Sequence, residues 1–330
     1  MRLVLPLLLM LLVCARPTRA YDPLDVPRSD DREGVAPLDL DVVDRDRGRT
    51  VPIRVFLPAD GAAVAPRPVI LFSHGLGGTR SGSGYLGEHW SRRGYVAVFL
   101  QHPGSDASVW QDEPVGRRMA AMREAASPAN LRLRTQDVPS VLDALAAWNA
   151  TAGHDLAGRF DLDRVGMAGH SFGAQTTQAV SGQKLPLVGR RFTDPRIKAA
   201  AVMSPGSPRG RADAGTAFEA VEIPWLVMTG TRDTAAIGGQ TVESRLAVFA
   251  GLPEGRAYEL VLHDAEHSAF TDRPLPGDRV DRNPNHHRSI LAITTAFWDA
   301  FLRDDPEARR WLDGDGPRSV LDPDDRWRRK

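Results

Sequence analysis

A serine bracketed by glycines stands near the middle of the chain, in Val165-Gly-Met-Ala-Gly-His-Ser-Phe-Gly173. An apolar run ends in Gly169-His170-Ser171-Phe172-Gly173, and a helix-like segment follows at once. Glycine on both sides lets the chain reverse sharply, and such a strained turn lifts the serine hydroxyl above the end of a sheet and over a helix N-terminus. In a chain with 30 glycines the five-residue pattern alone is weak. Between a strand and a helix it becomes specific. The chemistry it suggests is acyl transfer, which a serine performs only when a base removes its proton.

Such turns are followed in chain order by an acid and then a histidine. His263, His267, His286 and His287 lie downstream of Ser171. His267 falls just past the last apolar run, in Asp264-Ala-Glu-His-Ser-Ala-Phe270, and is the expected base. His263 abuts that run and is expected to be packed or capped, while His286 and His287 open a helix. For the acid, Trp225-Leu-Val-Met-Thr-Gly-Thr-Arg-Asp233 delivers Asp233 from the preceding strand through a glycine turn. Asp194 and Asp213 sit in polar stretches with no strand to deliver them. Asp233 would fix the imidazole tautomer and stabilise the imidazolium. A further glycine-rich turn, Ile70-Leu-Phe-Ser-His-Gly-Leu-Gly-Gly78, leaves another strand, and its backbone could turn N–H groups toward a developing oxyanion. The two donors are assigned to the N–H groups of Leu76 and Phe172. A phosphate-binding reading fails for want of a Lys-Ser/Thr ending and of G-x-G-x-x-G spacing.

These residues need a scaffold. Leu38 to Asp44 and Val51 to Leu57 alternate in polarity around the polar link Arg45 to Thr50, which predicts an antiparallel hairpin. Val69–Phe72, Tyr95–Leu100, Arg164–Ala168, Ile197–Met203, Trp225–Met228 and Tyr258–Leu262 are apolar almost throughout, as strands buried on both faces are. Helical patterns separate them at Leu131–Trp148, Gln175–Ser181, Thr241–Ala250 and His287–Leu302, with Pro139 expected to start or kink the first. Strands alternating with helices predict one three-layer α/β domain over residues 38–330, with a mostly parallel eight-stranded sheet between helices. Pro103 to Arg134 is the largest insertion and carries an expected short helix at Val115–Ala125. Trp90, Trp110 and Phe172 could line the pocket, although each reads more readily as core.

The chain is 330 residues long, with 42 basic and 42 acidic side chains, so no net charge draws it to nucleic acid or an anionic surface. Arg190-Arg191, the Asp322–Asp325 stretch and the Arg326–Lys330 tail read as solvated surface. Arg2, the apolar run Leu3 to Ala15 and Thr18-Arg19-Ala20 have the form of a secretory signal, so residues 1–20 are expected to be removed near Ala20 and the product to be secreted or periplasmic. Residues 21–37 are expected to form a flexible arm. Cys14 is the sole cysteine, so the processed chain would hold no disulfide, no thiol nucleophile and no cysteine metal site. No metal, organic cofactor or stable membrane insertion is expected.

Phe72-Ser-His-Gly-Leu-Gly77, Gly169-His-Ser-Phe-Gly173, Thr229-Gly-Thr-Arg-Asp233 and Ala265-Glu-His-Ser-Ala-Phe270 resemble the motifs of plasma-type platelet-activating-factor acetylhydrolases. They are similar, too, to those of bacterial dienelactone-hydrolase-like and chlorophyllase-like hydrolases. His102 to Ser108 resembles the segment these proteins carry after the fourth core strand, and the likeness spans roughly Pro52 to Phe301. It implies an α/β-hydrolase fold and a Ser171–Asp233–His267 triad. Ser171 departs from true dienelactone hydrolases, which use cysteine, and Ala174 replaces a glycine common after the turn. The lipid-surface helices of the plasma enzymes are not evident. The expectation is a carboxylic ester hydrolase acting on a small-molecule or polymer ester, with short acyl chains favoured because only the polar stretch Ser204 to Glu222 follows the sixth strand as a lid. A polyester- or cutin-degrading enzyme, a peptidase or amidase, and a non-catalytic binding protein on the same scaffold are the alternatives.

Overall fold

The computed structural model describes residues 20–26, 36–59, 65–208, 211–275 and 277–330. The expected signal, but for its last residue, and residues 27–35 of the expected arm lie outside them. The hairpin forms as β1 (Leu38–Asp44) and β2 (Arg49–Phe56), followed by β3 (Arg67–Ser73), α1 (Gly84–Arg92) and β4 (Val96–Leu100). The insertion carries α2 (Ser108–Gln111) and α3 (Val115–Ala125), and α4 (Pro128–Ala150) leads back to β5 (Phe160–His170). Then come α5 (Phe172–Val180), β6 (Ile197–Met203), α6 (Arg211–Phe218), β7 (Trp225–Gly230), α7 (Val242–Gly251) and β8 (Ala257–Leu262). α8 (Pro284–Leu302), α9 (Pro306–Asp313) and β9 (Arg326–Arg329) complete the order.

The strands form one sheet in the order β1-β2-β4-β3-β5-β6-β7-β8-β9. The six from β4 to β8 are mutually parallel, and the β1–β2, β2–β4 and β8–β9 pairs are antiparallel. Alternate residues of one strand feed opposite cores. Ile70 and Phe72 of β3 pack with α1, α8 and α9 around Trp90, Phe297 and Trp298, whereas Val69 and Leu71 pack with Val138, Val141, Leu142 and Leu145 of α4. Burial on both faces is why these strands read as continuous apolar runs. Trp90 is therefore core, fully buried against Phe99 and Trp298. The α4 helix starts earlier than its apolar stripe, at Pro128, because the Ser127 hydroxyl caps the Asn130 N–H. It continues through Pro139.

Three expectations need correction. The sheet has nine strands rather than eight, since Arg326–Arg329 pairs with β8 instead of trailing in solvent. Its anchor is Glu259, fully buried on β8, whose Oε2 accepts from Arg326 (3.2 Å) and Arg328 (2.8 Å). The Asp322–Asp325 stretch is structured as well: Asp325 is buried and accepts from the N–H groups of His263 and Asp322. The expected loose arm is docked over residues 21–26, where Tyr21 donates to Asp299 at 2.8 Å and the Arg93 guanidinium lies over its ring. Buried Asp299 also accepts from Tyr95, Arg93 and Arg303, so the segment is fastened to a carboxylate that four donors share.

Removing the cations that neutralise Glu259 should loosen the sheet edge. The double substitution Arg326→Ala, Arg328→Ala is expected to cost about 2–4 kcal/mol, less than for a fully buried pair because both arginines are half-exposed. Urea unfolding followed by circular dichroism measures it. A change under about 0.5 kcal/mol would show the strand to be dispensable.

Candidate active site

β5 ends at His170, and α5 begins at Phe172. Ser171 between them takes φ 57° and ψ −113°, a left-handed region that costs a non-glycine residue energy. Packing enforces it. A Cβ on Gly173 would stand 1.8 Å from the Ser73 carbonyl oxygen, and one on Gly169 would stand 2.3 Å from that of Gly173. The first turn of α5 is thus pressed against the end of β3, closer than any side chain permits. The Ser171 N–H is tied to the Met203 carbonyl of β6 at 2.9 Å.

His267 opens a short 3-10 turn, His267–Phe270, beyond β8. Its Nε2 lies 2.8 Å from Ser171 Oγ and its Nδ1 lies 2.7 Å from Asp233 Oδ1. With Nδ1–H donating to the carboxylate, Nε2 presents a lone pair to the serine hydroxyl, the tautomer a base requires. Asp233 is fully buried after β7, and its Oδ2 accepts from Ser204 Oγ (2.6 Å) and Thr229 Oγ1 (2.9 Å). Burial alone would raise its pKa. The His267 hydrogen bond, the Arg245 charge and the Ser204 hydroxyl instead hold it well below the usual carboxylate range.

Arg245 of α7 is itself buried. It donates to the carbonyls of Asp233 (2.9 Å), Ser204 (2.6 Å) and Pro205 (2.8 Å). Its Nε is 3.1 Å from Asp233 Oδ1 and its Nη2 is 3.2 Å from His267 Nδ1, so a fixed positive charge adjoins the acid–imidazole pair. On the other side, His170 is buried with Nε2 3.0 Å from the His267 carbonyl. Burial, then the neighbouring His267, push its pKa down to about 3, so a neutral ring donates Nε2–H to that carbonyl.

The loop after β3 closes the site. A Cβ on Gly75 would stand 3.5 Å from Ser171 Cβ, so this backbone abuts the serine turn. Gly77 N–H donates to Ser105 and Gly78 N–H to Gly75, whereas among the described residues the N–H groups of Leu76 and Phe172 meet no protein acceptor. Trp110 Nε1 donates to the Gly77 carbonyl at 2.8 Å, which places α2 over the loop. His74 and His102 lie beneath it, both buried, and burial holds the pKa of each down, that of His102 to about 4. His102 bridges Ser73 Oγ and Asp137 Oδ2, each at 2.9 Å.

The structure therefore brings Ser171, Asp233 and His267 into one hydrogen-bonded chain, with Leu76 and Phe172 alongside. The rivals are elsewhere. His263 is half-exposed, buried His286 bonds the His263 carbonyl, and His287 stacks on Tyr85 with ring centroids 3.9 Å apart. Asp194 is held by Arg196, and Asp213 falls in α6. The sequence reading overlooked Arg134, Asp137, Arg245 and His170. A signal was present for the first two: Arg134 and Asp137 interrupt the stripe that carries Val138, Val141, Leu142 and Leu145 into the core. Among the described residues, no group of three or more His, Cys, Asp or Glu side chains is arranged to hold a metal, and no helix is long and apolar enough to cross a membrane. No protein-family model and no curated protein matches the chain.

The buried histidines make stability acid-sensitive. His102 and His170 titrate at about 4 and about 3 when folded, against an ordinary 6.5, and His74 is lowered too. Below pH 6.5 the unfolded chain gains protons that the native state refuses. Their contribution is complete above that value and is lost as pH falls toward the folded pKa values. Urea midpoints should drop steeply from pH 7 to about pH 4.5, with proton uptake on unfolding, and His102→Gln should flatten the slope. Midpoints independent of pH over that interval would contradict this account.

Proposed function

We propose that the chain is a serine hydrolase of the α/β-hydrolase fold that cleaves carboxylic esters of short acyl chains. One observation carries the reading: Ser171 Oγ, His267 and buried Asp233 are linked at 2.8 and 2.7 Å on a strained strand-to-helix turn. The unfilled N–H groups of Leu76 and Phe172 beside it are what an oxyanion needs.

In the reaction, Ser171 Oγ attacks the ester carbonyl carbon as His267 Nε2 takes its proton. The carbonyl oxygen becomes an anion that the two N–H groups receive. Collapse of this intermediate breaks the bond to the alcohol oxygen, which leaves with the proton from His267. A water then gives a proton to His267 and attacks the acyl carbon; collapse breaks the bond to Ser171 Oγ, which takes the proton back from His267 as the acid leaves. Asp233 stays ionised throughout and stabilises the imidazolium. The apolar leader read at residues 1–20 would direct the enzyme out of the cytoplasm, to meet esters there.

Short chains fit because, among the described residues, the segment after β6 supplies helical-layer core in place of an apolar cap. After β6, where a cap would insert, Ala217 and Phe218 of α6 are buried against Trp225 and Val248 in the helical layer. Among the described residues, Trp110 and Met122 of the α2–α3 insertion lie over Gly77. Each methylene adds roughly 0.8 kcal/mol only where a dry wall receives it.

Ser171→Ala is expected to lower turnover of nitrophenyl esters on the order of a millionfold, and a fluorophosphonate should label the wild type at Ser171. Label on another serine, or more than a few per cent residual activity, would remove the assignment. Asp233→Asn should cost roughly 10⁴ in turnover through the wrong tautomer. Across nitrophenyl esters from acetate to palmitate, rates should peak at acetate or butyrate. A peak at eight carbons or beyond, or preferential attack on a polyester film, would replace this reading with a lipase or polyesterase.

A further inference from the structure

Arg134 on α4 is fully buried, yet among the described residues it forms no ion pair with a carboxylate. Asp137, one turn along, is committed to Arg47, Arg49 and His102, and Asp106 to Gln101 and Ser108. The Arg134 partners are neutral. Nη1 donates to the His74 carbonyl and Nε to Ser105 Oγ, both at 2.8 Å, while Nη2 lies 3.4 Å from the Ser105 carbonyl and 3.5 Å from that of Gly75. The guanidinium face covers the Phe172 ring at 4.5 Å. Burial pulls its pKa down to about 9, which leaves it charged at neutral pH. A buried cation that Asp137 and Asp106 reach only through space is expensive, and a neutral donor would satisfy the same carbonyls.

Its position gives the charge a use. One side chain touches both limbs that carry the N–H groups assigned to the oxyanion, the His74–Gly75 loop and Phe172. The Gly75 carbonyl, held by His74 Nδ1–H at 2.6 Å and approached by Arg134, belongs to the same peptide unit as the Leu76 N–H. In a planar trans peptide, C=O and N–H point in opposite directions, so donors on the carbonyl orient that N–H and polarise it.

We propose that Arg134 is a positioning residue for the acyl-transfer reaction, whose charge stabilises the oxyanion from behind the two backbone donors. This rests on the hydrolase reading above. The negative charge exists only in the tetrahedral intermediate and the states flanking it, so the effect belongs in kcat rather than KM. It is smaller than the loss of a direct donor, because Arg134 acts through peptide groups.

The test compares wild type, Arg134→Gln and Arg134→Lys on nitrophenyl butyrate, together with the affinity of butylboronic acid, which forms an anionic tetrahedral adduct on a serine. R134Q, with donors but no charge, should lose about 10- to 100-fold in kcat with KM changed less than about twofold, and boronate affinity should fall in parallel. R134K, which keeps the charge, should restore kcat to within about threefold of wild type. The proposal is overturned if folded R134Q keeps wild-type kcat, if its loss lies in KM with boronate affinity intact, or if R134K falls as far as R134Q. Should R134Q not fold, R134K decides alone, since a tenfold loss in a folded, charge-retaining variant would mean that only the guanidinium fork matters. If wild type does not hydrolyse the ester or Ser171→Ala retains activity, the hydrolase reading falls instead.

Discussion

The Ser73 carbonyl lies so close to Gly173 that no Cβ fits between them, and the rest of the site depends on that contact. It fixes how deeply α5 is driven against β3, and so forces Ser171 into its positive-φ turn between β5 and α5. The same approach brings Phe172 N–H, at the helix start, beside the loop that leaves β3, because Ser73 is the last residue of that strand. Ser171 and the N–H groups of Leu76 and Phe172 are therefore set by one backbone crossing. A bulkier residue at Gly169 or Gly173 would separate the serine from the donors as well as straining the turn.

The loops after β3, β6, β7 and β8 meet around this crossing, and side chains hold their carbonyls. Each is held by a guanidinium. Arg134 takes the His74 carbonyl after β3, and Arg245 takes those of Ser204 and Pro205 after β6 and of Asp233 after β7. Arg282 takes Ser268 and Thr271 in the histidine loop. Arginine suits the task because five donors in a fixed plane span several acceptors at once. Arg134 and Arg245 also set a charge beside Phe172 and Asp233 respectively. Arg245 also helps to hold Asp233 ionised beside the imidazole.

The backbone scaffold was legible because its signals are local. Continuous apolar runs marked the parallel strands, and the glycine turns after β3, β5 and β7 marked where loops would converge. Asp233 and His267 followed from chain order and strand delivery alone. What escaped the sequence was polar residues doing structural work inside the core. Glu259 stands in the middle of Ala257–Leu262 and is neutralised by Arg326 and Arg328, almost seventy residues away in sequence. With that partnership invisible, the final arginines read as a solvated tail and the sheet was short by one strand. Tyr21 was misread in the same way: its partner Asp299 is 278 residues distant. Arg134, Asp137 and Arg245 sit on helices beside apolar neighbours, where charge signals a buried partner without naming it.

A comparison within the molecule shows why residue types alone do not make a nucleophile. Ser73, His102 and Asp137 form a second hydrogen-bonded chain, with both contacts at 2.9 Å, close to those of Ser171, His267 and Asp233. Ser73, however, ends a regular strand and is fully buried, as are its two partners. It is closed off from solvent, and its hydroxyl is shared with the His102 ring beneath the loop it supports. Ser171 is partly exposed, is lifted out of the sheet by its positive φ, and faces N–H groups that have no protein acceptor. The buried chain braces β3 against α4 and hence the carbonyl that presses on Gly173. One Ser–His–Asp set thus maintains the backbone crossing on which the geometry of the other depends.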